Sequence, residues 1–111
     1  MSTKIVSIEE AMASVPDPQG KRFAQVFAHG SLVVEMFAPR GTDTQTPHSR
    51  DEVYVVASGS GEFVSGEERM SFGPNDFLFV PAGLAHRFEN FTDDLFVWVL
   101  FYGPEGGEAS Q

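Results

Sequence analysis

The sequence predicts an all-β protein whose short antiparallel strands close into a sandwich or barrel. About eight to ten strand-like runs follow one another at close spacing, with almost no helix between them. Eleven Phe, eleven Gly and seven Pro among 111 residues favour many short strands joined by tight turns. A chain of this length forms one domain around a single core.

In chain order, the first predicted element is one or two helical turns over residues 7–13. Ser7 and Glu10 fit a capping box there, and two prolines follow that prevent the helix from continuing. Gly30 then supplies a tight turn between the first two strands. The predicted strands span 23–28, 31–38, 46–49, 52–57, 62–65, 67–72, 77–80, 85–90 and 95–102. We therefore expect an N-terminal arm at 1–21, the barrel at 22–103 and a flexible tail at 104–111.

Apolar residues dominate both faces of the last predicted strand. One face must fill the barrel, and the other needs cover from the N-terminal arm or from a second subunit. Phe63, Phe77 and Phe79 are predicted to be core residues.

The net charge of −9, with only seven basic residues, argues against a phosphate-binding surface, so we expect no nucleic-acid partner. The longest apolar run has eight residues, far below the roughly 20 that span a bilayer, so no membrane segment is expected. The N-terminus lacks the apolar region of a signal peptide. Together with the absence of cysteine, this predicts a cytoplasmic protein.

The chemistry-bearing residues lie in two segments. Side chains alternate along a strand, and the charged Arg87 and Glu89 belong in water, which places His86 and Phe88 inside. An inward histidine in a small barrel needs a polar partner or a metal. His48 and Glu52 share one parity in the earlier segment.

Two imidazoles and one carboxylate match a 2-His-1-carboxylate site. This donor set leaves coordination positions open and suits iron, manganese, nickel or zinc. The alternative interpretation makes His48 a rim residue, Glu52 a solvated carboxylate and His86 a hydrogen-bonded core histidine.

Both segments resemble the motifs of the cupin superfamily. The second motif is matched by Asn75-x5-Pro81-x-Gly83-x2-His86-x3-Asn90, with Asn75 where the family usually has Gly. Asn tolerates left-handed backbone angles well. The first motif is matched from Gly41 through His48 and Glu52 to Gly59, with one histidine missing. Either Thr46 stands at the first histidine, or Arg50 stands at the second; the former leaves room for a turn before Glu52.

The resemblance covers about residues 31–102 and implies a double-stranded β-helix, a jelly-roll barrel. It implies a divalent metal held by His48, Glu52 and His86, with Thr46 or Gln45 at a fourth position or holding a water. It also implies a homodimer. Tyr54, Phe88 and Trp98 are candidate pocket residues, or else core aromatics. Arg50 is a candidate for holding a substrate carboxylate, or else a solvated loop residue.

Three functions follow as expectations. The first is a metal-dependent enzyme, an oxygenase or isomerase, acting on a small molecule inside the barrel. The second is a non-catalytic module that binds or senses a small molecule. The third is a storage-like or scaffold role, which the short single barrel disfavours. The fold alone does not decide among them.

Overall fold

The computed structural model describes residues 2–109 and has, within that range, one helix and eight strands. The elements are α1 (Ile8–Ala13), β1 (Phe23–His29), β2 (Leu32–Phe37), β3 (Asp51–Ser58), β4 (Gly61–Ser65), β5 (Glu68–Phe72), β6 (Phe77–Val80), β7 (His86–Glu89) and β8 (Phe96–Tyr102). All strand pairs are antiparallel, in a five-stranded sheet of order β1-β2-β8-β3-β6 and a three-stranded sheet of order β5-β4-β7. The predicted fold class is confirmed.

The core lies between the two sheets, where their inner faces meet. Tyr54, Phe63 and Phe88 are its largest apolar side chains, and each is 1% exposed. Their rings contact one another with centroids 4.9 to 5.7 Å apart, the spacing of favourable aromatic pairs. These three rings therefore form the aromatic centre of the core.

The N-terminal arm covers part of the outer face of the five-stranded sheet. Ser7 caps α1 by accepting a hydrogen bond from the Glu10 amide at 3.0 Å, which is half of the predicted capping box. Ala11 and Val15 then pack against a second buried cluster that includes Met36. Of the two covers expected for the last strand, the arm is the one found here.

Positive backbone angles occur where the motif residues require them. Asn75 has φ +72° and Gly83 has φ +81°, so the Asn in place of Gly adopts the left-handed conformation as expected. Gly59 has φ +92°, and a Cβ there would lie 2.7 Å from the Leu95 Cα. Only glycine fits at that position.

Residues 46–49 were predicted to form a strand, and this is wrong. The segment is an extended loop, because Pro47 has no amide hydrogen and the nearby Gln45 amide donates to the Asp43 carboxylate at 3.1 Å. One backbone bond, from the Gly83 amide to the His48 carbonyl at 2.8 Å, fixes the end of the loop.

Phe77 and Phe79 were predicted to be core residues, and this too is wrong. They are 67% and 50% exposed, whereas the predicted core residue Phe63 is buried. β6 is an edge strand in which Leu78 and Val80 point inward, and alternation turns the two phenylalanines outward.

The C-terminal segment contacts the turn before β3. The Gly106 amide donates to the Ser49 carbonyl at 2.7 Å, and the Glu108 amide donates to the Asp51 carboxylate at 2.8 Å. Flexibility of 104–111 stays a prediction, and Ser110 and Gln111 lie outside the described residues. Within residues 2–109, no helix is long and apolar enough to cross a membrane.

Candidate metal centre

His48, Glu52 and His86 come together from three elements. Glu52 lies near the start of β3, paired with Val80 of β6 on one side and Phe101 of β8 on the other. His86 is the first residue of β7 in the opposite sheet, and His48 lies in the loop before β3. The bond between the Gly83 amide and the His48 carbonyl joins the two segments that carry the histidines.

The donor atoms of these residues form a tight group. His86 Nε2 lies 2.9 Å from Glu52 Oε1, and His48 Nε2 lies 3.9 Å from the same oxygen. One donor atom from each residue lies within 4.8 Å of the others. The Glu52 and His86 side chains are 1% exposed and the His48 side chain 36%, so two donors are buried and His48 faces the solvent side.

One buried oxygen in this group lacks a partner. Glu52 Oε2 has no hydrogen bond, and it is the one such buried side-chain atom within residues 2–109. An unsatisfied buried carboxylate oxygen is costly, and a cation would satisfy it. Two imidazole nitrogens and a carboxylate are also a donor set that divalent transition metals accept. The three residues thus have the chemistry and the spacing to hold one divalent ion.

Two hydrogen-bond acceptors flank the His86 ring. The Leu84 carbonyl lies 2.8 Å from Nδ1, and Glu52 Oε1 lies opposite at Nε2. Burial lowers the pKa of His86, but the hydrogen bonds to Glu52 and Leu84 outweigh it and leave the pKa raised. The Leu84 carbonyl also favours a proton on Nδ1, which makes Nε2 the nitrogen available to a metal.

A chain of hydrogen bonds supports the site from the side. The Tyr54 hydroxyl lies 3.2 Å from His86 Nε2 and donates to Gln45 Oε1 at 2.9 Å. Burial, followed by the Glu52 carboxylate, raises the pKa of Tyr54 well above its ordinary value, so the hydroxyl keeps its proton. The Gln45 amide group donates to Asp43, whose carboxylate also accepts from the Phe88 amide at 2.9 Å. Sequence reasoning missed Asp43.

A cavity of about 220 Å³ opens beside the group. Its wall includes His48 and Glu52 of the candidate metal group. The remaining lining residues are Phe23, Glu35, Phe37, Gln45, Tyr54, Val99 and Phe101. Glu35 was missed from the sequence, although it shares a strand face with Phe37, two positions on.

The residues predicted for the pocket and for the fourth position lie in different parts of the structure. Tyr54 and Gln45 line the cavity, whereas Thr46 is exposed and does not. Phe88 is a core residue behind Tyr54. Trp98 as a pocket residue is wrong: because Val97 and Val99 point inward, Trp98 lies on the outer face and packs near the arm.

Arg50 does not reach the cavity either. Its guanidinium donates to the backbone carbonyls of Ser31 and Gly103. The side chain therefore links the turn before β3 to the end of β8. His29 is exposed at the end of β1, as a surface histidine should be.

Comparisons with known proteins agree with this architecture. Residues 33–102 match the family described as the cupin domain. An uncharacterised protein of Streptomyces coelicolor is 44% identical over 64 residues, which cover 58% of this chain and 61% of that relative.

Two solved structures share the fold at low identity. A cupin 2 conserved barrel domain protein from Salinispora arenicola superposes with a TM-score of 0.69 at 16% identity, covering 93% of this chain and 91% of the other. KdgF from Halomonas sp. gives a TM-score of 0.64 at 22% identity, covering 75% and 78%. Both likenesses concern the fold.

Proposed function

This chain belongs to the cupin family, and from that premise we propose that it is a metal-dependent enzyme acting on a small molecule. In this proposal His48, Glu52 and His86 hold one divalent ion at the wall of the cavity, and the reaction is an oxygenation or an isomerisation. The observation that carries the proposal is the unsatisfied Oε2 of Glu52, which lies in a group that also contains the imidazoles of His48 and His86.

A bound divalent ion would polarise an oxygen of the ligand, and iron or manganese would add redox chemistry. Three protein donors leave coordination positions for that ligand. The chain itself contributes three things: Glu52 and His86 are shielded from water, Tyr54 keeps a neutral hydroxyl beside them, and Phe37, Val99 and Phe101 form an apolar wall. Such a wall orients a small ligand and excludes water.

A metal titration tests the ion-binding part of this proposal. We expect chelator-treated protein to bind one Zn²⁺ or Mn²⁺ per chain in isothermal calorimetry. Glu52→Gln should weaken binding by at least about tenfold, because the carboxylate supplies the negative charge of the site. Glu67→Gln removes the same charge from an exposed turn and should leave binding unchanged. Equal affinity in all three proteins would exclude the site.

A non-catalytic binding or sensing module is the second candidate. Gln45 favours this candidate: it lies near the position of the missing fourth ligand, but its side-chain oxygen accepts a hydrogen bond from the Tyr54 hydroxyl instead of facing an ion. With three protein ligands the ion binds more weakly than with four, and the cavity walls exist without it. Turnover that chelation abolishes indicates the enzyme. A small-molecule complex that survives chelation, with no turnover in the metal-loaded protein, indicates the binder.

We also propose that the protein forms a homodimer through the outer face of the five-stranded sheet. Phe77 and Phe79 are exposed there and pair across the strands with Val55 and Val53. These four side chains carry no charge in a chain of net charge −9, and a second copy would cover the two exposed phenylalanines. The arm covers a different part of the face, near Met36.

Sedimentation of wild-type and variant chains tests the dimer. We expect a species of twice the 12.2 kDa chain mass, reduced to one chain by Phe79→Glu. Ile5→Glu introduces the same charge at an exposed apolar residue of the N-terminal arm, which packs near β2 rather than β6, and should leave the dimer intact. A wild-type protein that sediments at 12.2 kDa at micromolar concentration would refute this interface.

A further inference from the structure

Glu35 is a second carboxylate in the cavity wall, besides Glu52 of the candidate metal group. It lies on β2, paired with Val99 of β8, and Val99 pairs on its other side with Tyr54 of β3. Glu35 and Tyr54 are therefore two strand spacings apart, about 10 Å between backbones. Glu35, Val99 and Tyr54 all line the cavity, so Glu35 and Tyr54 lie on opposite sides of it with Val99 between them.

The Glu35 carboxylate has no partner of its own. Within residues 2–109 it makes no hydrogen bond and no ion pair, whereas Glu62 and Glu89 both pair with Arg69. The cavity lining contains no lysine or arginine. Burial, and then the nearby Glu52 charge, raises the pKa of Glu35, as expected for a half-buried carboxylate without a cation.

The size of the cavity limits what can meet this carboxylate. A cavity of about 150 Å³ accommodates a benzene molecule. The 220 Å³ available here takes one such ring with a short substituent. Phe23 and Phe37 add aromatic surface to the lining, and aromatic faces attract both rings and organic cations.

We propose that the cavity binds a small organic cation, an aromatic or apolar body bearing an ammonium group that donates to Glu35. In the metal-free protein the acidic lining disfavours an anionic ligand, because the wall contains no lysine or arginine. At the other side of the cavity Glu52 adds negative charge from a fully buried position. The inference deepens the proposed function, since it names the ligand class of the same cavity, but it does not depend on a bound metal.

The test compares three probes that differ in one group: benzylamine, benzyl alcohol and benzoate. Binding is followed by two-dimensional NMR of the full chain, once after chelation and once with stoichiometric Zn²⁺. We expect the chelated protein to bind benzylamine at least about tenfold more tightly than benzyl alcohol, the gain typical of a hydrogen bond to a charged group. Glu35→Gln should remove that preference, and Glu67→Gln should retain it.

A wild-type protein without amine preference, or a Glu35→Gln protein that keeps it, overturns the proposal. If Glu35→Gln does not fold, the wild-type shifts decide: benzylamine must perturb Glu35, Phe37 and Val99, and perturbation confined to exposed acidic residues overturns the proposal. The metal proposal fails separately, when Zn²⁺ does not perturb His48 and His86 in the same samples.

Discussion

Replacing Tyr54 with Phe isolates the contribution of one hydroxyl group at the candidate site. The ring packs between Phe63 and Phe88, with centroids 5.7 and 5.0 Å away, and a phenylalanine keeps those contacts. What is lost is the bond to Gln45 Oε1 at 2.9 Å and the contact with His86 Nε2 at 3.2 Å. His86 keeps Glu52 as its partner, so Gln45 alone is left unsatisfied.

The magnitude follows from these contacts. A hydrogen bond contributes a net ~0.5–1.5 kcal/mol, and leaving a buried acceptor unsatisfied costs ~1–3 kcal/mol. Gln45 is half-buried, so we expect Tyr54→Phe to reduce the free energy of unfolding by about 1–2 kcal/mol. Tyr54→Ala also loses the ring and should cost about 3–5 kcal/mol.

Urea denaturation of metal-free protein measures both values, with fluorescence of Trp98, the one tryptophan, as the probe. Gln45→Met removes the acceptor, and the double variant should show a coupling energy of about 0.5–1.5 kcal/mol. Strict additivity, or an unchanged Tyr54→Phe midpoint, would refute the chain of hydrogen bonds described here.

Three further predictions concern pH and packing. Hydrogen bonds from the Glu108 amide and then the Ala82 amide lower the pKa of Asp51. The stabilising effect of Asp51 is therefore present above the ordinary pKa of about 3.9 and is lost as the pH falls through the lowered pKa. Asp51→Asn should destabilise the protein at pH 7, and the difference in urea midpoint from wild type should vanish in strong acid. The raised pKa of His86 acts in the opposite sense. In chelated protein, protonated His86 pairs with Glu52 and stabilises the fold below about pH 6.5. This stabilisation is lost as the pH rises through the raised pKa of His86. The urea midpoints of wild type and His86→Gln should therefore converge at alkaline pH. The Cβ added by Gly59→Ala would collide with the Leu95 backbone, so this change should reduce the free energy of unfolding by more than ~2 kcal/mol, as measured by thermal unfolding. Gly73→Ala has open space around it and should be nearly neutral. Equal effects of the two changes would contradict the close approach of Gly59 to Leu95.

The sequence predicted those parts of the fold in which charged residues mark the outer face of a strand. Arg87 and Glu89 alternate with His86 and Phe88, and the structure has the latter two buried. The same rule fails where both faces are apolar. β6 and the middle of β8 contain no polar residue to fix their parity, which is why Phe77, Phe79 and Trp98 were assigned to the wrong face.

In the cavity wall, a charged side chain lies on the inner face of a strand. Glu35 is the one charged residue of β2, and alternation with apolar neighbours suggests a solvent-facing side chain. The structure has it on the cavity side, because Met36 is needed against the arm. Conflicts between local pattern and tertiary position are expected at functional sites. Asp43 was missed for a different reason: its role depends on contacts with β7, 45 positions away in sequence.

Metal content by elemental analysis tests the central claim most directly. The protein is purified without a histidine tag or added metal, and wild type is compared with His48→Ala, His86→Ala and His29→Ala. The last removes the third histidine of the chain, which is exposed and outside the candidate site, and serves as the matched control. We predict near-stoichiometric divalent metal in wild type and His29→Ala, and its loss in both other variants. A folded wild-type protein without metal, or equal metal in all four proteins, would contradict the assignment of His48, Glu52 and His86 as ligands.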